Sequence, residues 1–215
     1  MIHFLMCYIN SIYVNFYLTA NFNFIFLLAI FNLYNIYEIL INQPRRIIQF
    51  MDKKLYLIGG TMGIGKTTVS QILKNKLDNA VMLDGDWCWD MHPFMVNDET
   101  KAMVMDNICY LLNNFIKCSV YDNIVFCWVM HEQAIIDEIL SRLDTSGITV
   151  LPISLVCSEA ELRRRIQRDV DKGKRTSDVI ERSAVRLEMY SKLTTHKLDV
   201  TGLTPEETAQ KIISF

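Results

Sequence analysis

Short apolar segments alternate with segments of helical periodicity after residue 50, and this alternation predicts an α/β fold. Five segments are interpreted as strands, at residues 55–58, 80–83, 124–129, 148–156 and 197–200. Continuous apolar runs such as residues 124–129 are typical of parallel strands that helices cover on both faces. Strands that alternate with helices predict a three-layer α/β sandwich around a five-stranded parallel sheet.

Apolar residues at spacings of three and four predict the helices between these strands. One such stripe runs over residues 69–77, and two more run over residues 104–115 and 135–143. In each of these segments the positions outside the apolar stripe are mostly polar, as expected for a helix that packs one face on a sheet.

Residue types mark the ends of several elements. Asn97 is a candidate N-cap for the helix with the second stripe. Ser-Glu-Ala-Glu at residues 158–161 and Thr-Pro-Glu-Glu at residues 204–207 predict two capping boxes, in which the first and last side chains satisfy each other's backbone amides. Pro152 cannot donate to a ladder, so we expect the fourth strand to be bulged or to begin effectively at Ile153.

The first strand and the first helix are joined by Gly60-Thr-Met-Gly-Ile-Gly-Lys-Thr67, which fits the phosphate-loop pattern G-x-x-x-x-G-K-[ST] at every fixed position. Glycines allow a tight turn with inward-pointing amides, and the helix that follows adds its positive dipole end. An ordinary glycine turn is the alternative. The strand, loop and helix context favours a site for a nucleoside triphosphate.

The side chains of this loop suggest individual roles. Lys66 would reach the β- and γ-phosphates and is a candidate catalytic residue, and the Thr67 hydroxyl would hold Mg²⁺. ATP and Mg²⁺ are therefore the expected cofactors. The candidates for nucleotide binding form one continuous stretch, namely Gly60, Thr61, Met62, Gly63, Ile64, Gly65, Lys66, Thr67 and Thr68.

Composition limits the function classes. The formal net charge of -2 and the pI near 6.1 argue against an extended nucleic-acid-binding surface. The six cysteines include no C-x-x-C pair, and several lie in apolar runs, which indicates buried free thiols rather than disulfides or a zinc site. We therefore expect a cytoplasmic protein without a nucleic-acid partner.

Residues 1–50 differ sharply from the rest and contain no Lys, Arg, Asp or Glu before Glu38. A membrane anchor is one interpretation, because residues 22–37 are nearly long enough to span and basic residues follow. A packed extension is the second, and a segment foreign to the natural protein is the third, because Met51 lies directly before the first strand. The expected division of the chain is an apolar extension at 1–50 and a domain at 51–215.

The second strand ends in Leu83-Asp-Gly-Asp86, and here the chain resembles the small-molecule phosphate-loop kinases, a group that includes shikimate, gluconate and adenylylsulfate kinases and chloramphenicol phosphotransferase. In those enzymes an acidic pair at this place faces the phosphate loop. The resemblance implies that Asp84 holds Mg²⁺ through water and that Asp86, as a catalytic residue, orients or deprotonates the acceptor hydroxyl. An Asp-Gly turn that only closes the strand is the alternative.

The resemblance extends to arginines after the fourth strand. It implies that Arg168 stacks on the adenine and that Arg175 is a catalytic lid residue that closes over the transferring phosphate. A solvated helix face is the alternative, and it is the interpretation for Arg163 and Arg164. One departure matters: the third strand ends without the usual aspartate, unless Glu132 substitutes for it.

Aromatic residues and histidines cluster after the acidic pair and near the end of the third strand. In this fold these regions lie beside the carboxyl ends of the strands and line the acceptor site. The rings could stack on a base and the histidines could bond to the acceptor, whereas core packing is the alternative for each ring. The candidates are Trp87, Trp89, Phe94, Trp128, His92 and His131.

Together these features predict an ATP- and Mg²⁺-dependent kinase that phosphorylates a hydroxyl or phosphate of a small molecule, with nucleosides and nucleotides among the candidates. Catalysis is expected to rest on positioning and on charge neutralisation. The alternative is a nucleotide-binding switch or adaptor that hydrolyses ATP slowly and is tethered to a membrane if residues 1–50 are an anchor.

Overall fold

A computed structural model describes residues 53–215, and the interpretations of residues 1–50 and the domain boundary lie outside that part of the chain. The described residues contain five strands that form one parallel sheet in the order β2-β3-β1-β4-β5. The prediction of five parallel strands is confirmed, with each strand end within one residue of its expected place. The strands are β1 (Lys54–Gly59), β2 (Ala80–Asp84), β3 (Asn123–Trp128), β4 (Thr149–Val156) and β5 (His196–Asp199).

Within residues 53–215, six α-helices and one short 3₁₀ helix connect and cover these strands. The 3₁₀ helix (Gly85–Trp89) follows β2 directly. The α-helices are α1 (Lys66–Lys76), α2 (Asp98–Lys117), α3 (Gln133–Ser141), α4 (Glu159–Asp171), α5 (Val179–Ser191) and α6 (Pro205–Ile213). Among the described residues, no helix is both long and apolar enough to cross a membrane.

Alternate residues of the central strands are buried on opposite faces of the sheet. In β1, Tyr56 and Ile58 pack with apolar residues of α1, α4 and α6. The intervening Leu55 and Leu57 pack with apolar residues of α2 and α3. Because helices bury both faces, the central strands need continuous apolar runs rather than alternation. The three-layer α/β sandwich is confirmed.

Pro152 lies within a continuous β4, so both expectations, a bulge and a start at Ile153, were wrong. The amide of Thr149 donates to the carbonyl of Lys53 on the β1 side, and amides alternate in direction along a strand. The amide position of Pro152 therefore faces the β5 side, where β5 begins only at His196, opposite Ile153. A proline is tolerated here because no ladder bond is lost.

Two helix starts carry complete capping boxes. The Asn97 side chain accepts from the amide of Thr100, whose hydroxyl accepts from the Asn97 amide. At α6 the Thr204 hydroxyl accepts from the Glu207 amide at 3.2 Å, and the Glu207 carboxylate accepts from the Thr204 amide at 2.8 Å. The predictions at Asn97 and Thr204 are therefore confirmed.

The capping box predicted at the start of α4 is only half formed. The Ser158 hydroxyl accepts from the Glu161 amide at 3.3 Å, but the Ser158 amide donates to the hydroxyl of Thr201 instead. The Glu161 carboxylate binds Arg164 and Arg165. Two guanidinium partners attract a carboxylate more strongly than one backbone amide does, so the reciprocal bond is not made.

A buried lysine connects the start of β1 to the end of α2. Lys53 is only 2% exposed, and its Nζ donates to the carbonyls of Ile116 at 2.7 Å and of Cys118 at 2.8 Å. These carbonyls lie at the helix C-terminus, where the intrahelical ladder leaves acceptors without partners and the dipole favours a cation.

Replacing Lys53 should destabilise the domain. We expect Lys53→Met to lower the free energy of unfolding by about 2 kcal/mol, because two carbonyls lose their donor. Lys54→Met at the adjacent, partly exposed position is the matched control and should change little. Urea unfolding measures both, and equal midpoints for the two variants would contradict this interpretation of Lys53.

Candidate nucleotide and acceptor site

The phosphate loop (residues 60–67) leaves the first amides of α1 without protein partners at the helix start. Gly65 is the N-cap with a φ of 107°, and it offers no side-chain cap; the first turn of α1 contains no acidic residue. At α2, in contrast, Asn97 caps the helix and two acidic residues follow. Free amides at a positive dipole end suit an anionic ligand.

The same loop packs tightly against α4. Gly63 has a φ of 82°, and a Cβ at this position would lie 2.5 Å from Cγ1 of Ile166. Only glycine satisfies both the left-handed backbone and this close approach. The motif glycine therefore also explains how α4 comes to border the loop.

Lys66 is held in place at the start of α1. Its side chain is buried, and its Nζ donates to the carbonyl of Thr61 at 3.2 Å. The Thr61 hydroxyl in turn donates to the carbonyl of Ser183 on α5 at 2.9 Å. Burial lowers the pKa of Lys66, and the nearby carboxylates, Asp86 foremost, act in the opposite direction.

The acidic turn meets the phosphate loop directly. The Thr67 hydroxyl donates to Oδ2 of Asp84 at 2.6 Å, and Oδ1 of Asp84 accepts from the Asp86 amide at 3.0 Å. Asp84 is 4% exposed. The structure thus brings together two residues, Thr67 and Asp84, that sequence analysis had chosen separately as metal ligands.

The donor set at Thr67 and Asp84 fits Mg²⁺. A hydroxyl and a carboxylate are hard oxygen ligands, and Mg²⁺ usually takes one or two of these from the protein and the rest from phosphates and water. Among the described residues no group of three or more His, Cys, Asp or Glu side chains could hold a metal by itself. An ion held by Thr67 and Asp84 would take its remaining ligands from phosphates and water.

Asp86 lies in an environment that favours its protonated form. Burial raises the pKa of Asp86, and the neighbouring Asp84 carboxylate adds to the increase. Lys66, the nearby indole of Trp128 and the charge of Arg175 oppose it. A carboxylate with a raised pKa is a stronger base than one with the ordinary carboxylate pKa, which suits proton transfer.

The end of β3 carries no carboxylate. Cys127 pairs in register with Asp84, and burial raises the pKa of its thiol to about 12, so that it stays neutral. Trp128 follows and contacts the acidic turn. Glu132 is 56% exposed, lies 3.6 Å from His131 and lines neither of the cavities described below.

Two cavities that share no lining residue both border the phosphate loop. The first has a volume of about 500 Å³ and lies between the loop, α4 and the segment after β5. Arg168 lines it from α4, as an adenine-stacking role requires. Its other principal lining residues are Gly63, Ile64, Gly65, Thr68, Arg164, Arg165, Val200 and Thr204.

Sequence analysis assigned no individual role to Arg165, which joins the walls of this first cavity. Its guanidinium donates to the carbonyl of Ile64 at 3.0 Å, to the carbonyl of Val200 at 2.8 Å and to Glu161 at 2.7 Å. The i, i+4 spacing from Glu161 was the available signal. No sequence pattern could have predicted the contacts of Arg165 with the carbonyls of Ile64 and Val200, because both residues are distant in the sequence.

Arg175 follows α4 in the segment that leads to α5. Its Nε donates to Asp169 at 3.1 Å. Burial is the main cause of the pKa shifts of Lys66 and Asp86, and Arg175 lies close enough for its charge to lower the pKa of both.

Arg163 is not simply solvated, because its guanidinium bridges Glu159 and Glu181.

The second cavity has a volume of about 850 Å³ and contains the acidic residue Asp86. Met62 of the phosphate loop lines it too, together with Lys101 and Arg186, which sequence analysis did not select. The predicted acceptor-site residues Trp87, Trp89, Phe94, Trp128 and His131 all line this cavity, whereas His92 does not.

This fold and this loop geometry define a phosphate-loop nucleotide-binding protein. The family model described as AAA domain matches residues 57–186, and the chain belongs to that family. No curated protein sequence matches the chain significantly.

Solved structures of a resistance protein and of two kinases share the fold. The tunicamycin resistance protein of Deinococcus radiodurans is 19% identical, with 75% of this chain and 94% of that chain covered and a TM-score of 0.56. A gluconokinase from Sinorhizobium meliloti is 15% identical, with 75% and 90% covered and a TM-score of 0.56. The APS kinase of Mycobacterium tuberculosis, solved with AMPPNP and APS, is 15% identical, with 75% and 96% covered and a TM-score of 0.50. The resemblance to the small-molecule phosphate-loop kinases is confirmed at the level of the fold.

A methyl group at Gly85 should disturb the acidic turn. A Cβ there would lie 2.5 Å from Cγ of Trp128, so the ring must move. We expect Gly85→Ala to lower the free energy of unfolding by about 1–3 kcal/mol. Gly59→Ala is the control, because its Cβ would meet no atom closer than 3.6 Å. Thermal or urea unfolding compares the two, and an unaffected Gly85→Ala would show that the ring yields freely.

Proposed function

We propose that this protein is an ATP- and Mg²⁺-dependent kinase that transfers the γ-phosphoryl group to a hydroxyl or phosphate of a small molecule. The observation that carries the proposal is the pair of separate cavities that border one phosphate loop, with Asp86 in the second. A kinase must bind a nucleotide and an acceptor at the same time, on either side of the transferred group. A simple hydrolase needs only the first cavity.

The nucleotide would occupy the first cavity and the phosphate loop. Residues 60–68 would surround the phosphates with backbone amides, and Lys66 would contact the β- and γ-phosphates. Arg168 would stack on the adenine from α4, and Arg175 would close over the transferring phosphate. Thr67 and Asp84 would hold Mg²⁺, which neutralises charge on the β- and γ-phosphate oxygens.

Asp86 would act on the acceptor in the second cavity. The acceptor oxygen forms a bond to the γ-phosphorus, the bond from that phosphorus to the β,γ-bridging oxygen breaks, and ADP leaves. The proton of an acceptor hydroxyl passes to the Asp86 carboxylate. Lys66 and Arg175 would stabilise the charge on the phosphoryl oxygens while this happens.

The second cavity supports a ring-containing acceptor. Trp87, Trp89 and Phe94 line this cavity, and the ring centroids of Trp89 and Phe94 lie 6.1 Å apart. Aromatic side chains stack on planar rings, so nucleosides and nucleotides belong in the panel of test acceptors. The cationic Arg186 would suit an acceptor that also carries a negative charge.

The rival proposal is a nucleotide-binding switch or adaptor that hydrolyses ATP slowly. The absence of a carboxylate at the end of β3 favours it, because one charged contact to the metal site is missing there. It leaves the second cavity and Asp86 without a role. Cytoplasmic location, or attachment to a membrane through residues 1–50, is a separate expectation that both proposals accommodate.

ATP consumption with and without a panel of hydroxyl compounds tests the function, and Lys66→Ala tests the phosphate loop. We expect acceptor-dependent consumption in the wild type and none in Lys66→Ala, because the phosphates lose their main cation. Lys76→Ala on the exposed end of the same helix is the control and should keep full activity. Slow consumption that ignores every acceptor would favour the switch.

Asp86→Asn separates a base from a structural turn residue. We expect kcat to fall by about 10²–10⁴-fold with ATP affinity retained. In the wild type, activity should be lost as the pH falls through the pKa of Asp86, which burial raises above the ordinary carboxylate value, because a protonated carboxyl cannot accept the proton. The residual activity of the variant should lack that acid limb. A normal rate for Asp86→Asn would leave Asp86 a structural role only.

A further inference from the structure

Thr61, the second residue of the phosphate loop, is buried and makes hydrogen bonds through both its hydroxyl and its carbonyl. The hydroxyl contacts the carbonyl of Ser183 on α5 at 2.9 Å, and the Thr61 carbonyl accepts from Nζ of Lys66 at 3.2 Å. A carbonyl can only accept, so the Thr61 hydroxyl is the donor to α5. Thr61 is 0% and Ser183 1% exposed, so this bond is shielded from water. One loop residue therefore links α5 to the ammonium group of Lys66.

One side of α5 borders the end of β1, the phosphate loop and the second cavity. Ser183, Arg186 and Tyr190 follow one another at spacings of three and four, so they lie on the same side of the helix. A Cβ at Gly59 would lie 3.6 Å from Cε1 of Tyr190, which places that ring against the end of β1. Arg186 lines the second cavity. The same helix thus contacts the loop that would hold the nucleotide and the cavity that would hold the acceptor.

The contact between Lys66 and the Thr61 carbonyl is compatible with phosphate binding. An ammonium group has three N–H donors. One can stay on the Thr61 carbonyl while the other two reach the β- and γ-phosphates. The Thr61 peptide can hold Lys66 in one place only if the peptide is itself fixed, and the hydrogen bond from the Thr61 hydroxyl to α5 fixes it.

We propose that Thr61 is a positioning residue for phosphoryl transfer: its hydroxyl fixes the Thr61 peptide on α5, and its carbonyl then sets the place of the Lys66 ammonium group relative to the acceptor. The inference rests on the proposed kinase function, because it concerns the alignment of the two substrates. Met62, the next residue, lines the second cavity, so Thr61 lies where the loop reaches the acceptor side. Thr61 transfers no proton and touches no transferring atom.

Thr61→Val tests this role because valine has nearly the shape of threonine and lacks the hydroxyl. We expect kcat to fall by about 10- to 100-fold, the effect of a misplaced catalytic group. The KM for MgATP should stay within about threefold, because the loop amides that surround the phosphates remain. Thr61→Ser is the matched control: it keeps the hydroxyl and loses only the methyl group, so its kcat should stay within about threefold of the wild-type value.

Other outcomes would overturn the proposal. A wild-type kcat for Thr61→Val, even with a lower unfolding midpoint, would show that the hydroxyl only stabilises the fold. An effect confined to KM would leave Thr61 a role in binding alone, and equal losses of kcat in Thr61→Val and Thr61→Ser would assign the effect to the methyl group. In these cases the wild type still consumes ATP in an acceptor-dependent way, and the kinase function stands. A wild type without acceptor-dependent consumption would instead remove the proposed function, and this inference with it.

A measurement on the wild type tests the contact without any turnover. A hydroxyl proton that is buried and hydrogen-bonded exchanges slowly with water. We therefore expect the Thr61 hydroxyl to give its own proton resonance, with nuclear Overhauser contacts to protons of α5, whereas the hydroxyl of the exposed Thr149 should exchange too fast to be seen. A Thr61 hydroxyl proton that exchanges as fast as that of Thr149 would overturn the inference even if Thr61→Val proved too unstable to assay.

Discussion

The buried ammonium group of Lys66 is the feature on which the rest of the site depends. Its side chain is 8% exposed, and its only described hydrogen bond is to the carbonyl of Thr61. A cation removed from water is unfavourable unless opposite charge compensates it. Asp84 and Asp86 supply part of that compensation, and a triphosphate in the phosphate loop would supply more.

The parallel sheet makes this charge compensation possible, because it places chemically different residues at one edge. β3 lies between β1 and β2, and the three strands end together. The phosphate loop leaves β1, the acidic turn leaves β2, and Trp128 closes β3. Thr67 and Asp84, which are 17 positions apart in the sequence, are thus joined by a hydrogen bond of 2.6 Å. A crevice outside the carboxyl ends of the strands is where open α/β sheets bind ligands.

Local signals were sufficient to predict the elements and the phosphate loop. Continuous apolar runs identified the central strands, and the motif from Gly60 to Thr67 needs only its own neighbours to be recognised. The capping boxes show the limit of such signals. Thr204 and Glu207 satisfy each other, whereas Glu161 turns to Arg164 and Arg165. The competing partners lie on the same helix, but their stronger attraction depends on a geometry that a four-residue pattern does not include.

Contacts between distant segments account for what sequence analysis missed. Arg165 was one of several similar arginines until the fold placed the carbonyls of Ile64 and Val200 beside it. Trp128 was a candidate ring for the acceptor, and only strand register revealed that its ring packs against Gly85. Pro152 is harmless for the same kind of reason, since the length of β5 decides whether its missing amide matters.

Titration calorimetry with MgATP tests whether the phosphate loop and Lys66 bind a triphosphate. We expect one saturable site per chain for MgATP and no measurable binding of adenosine, because the phosphates supply the compensating charge. Equal affinity for adenosine and MgATP, or no heat with either, would contradict it.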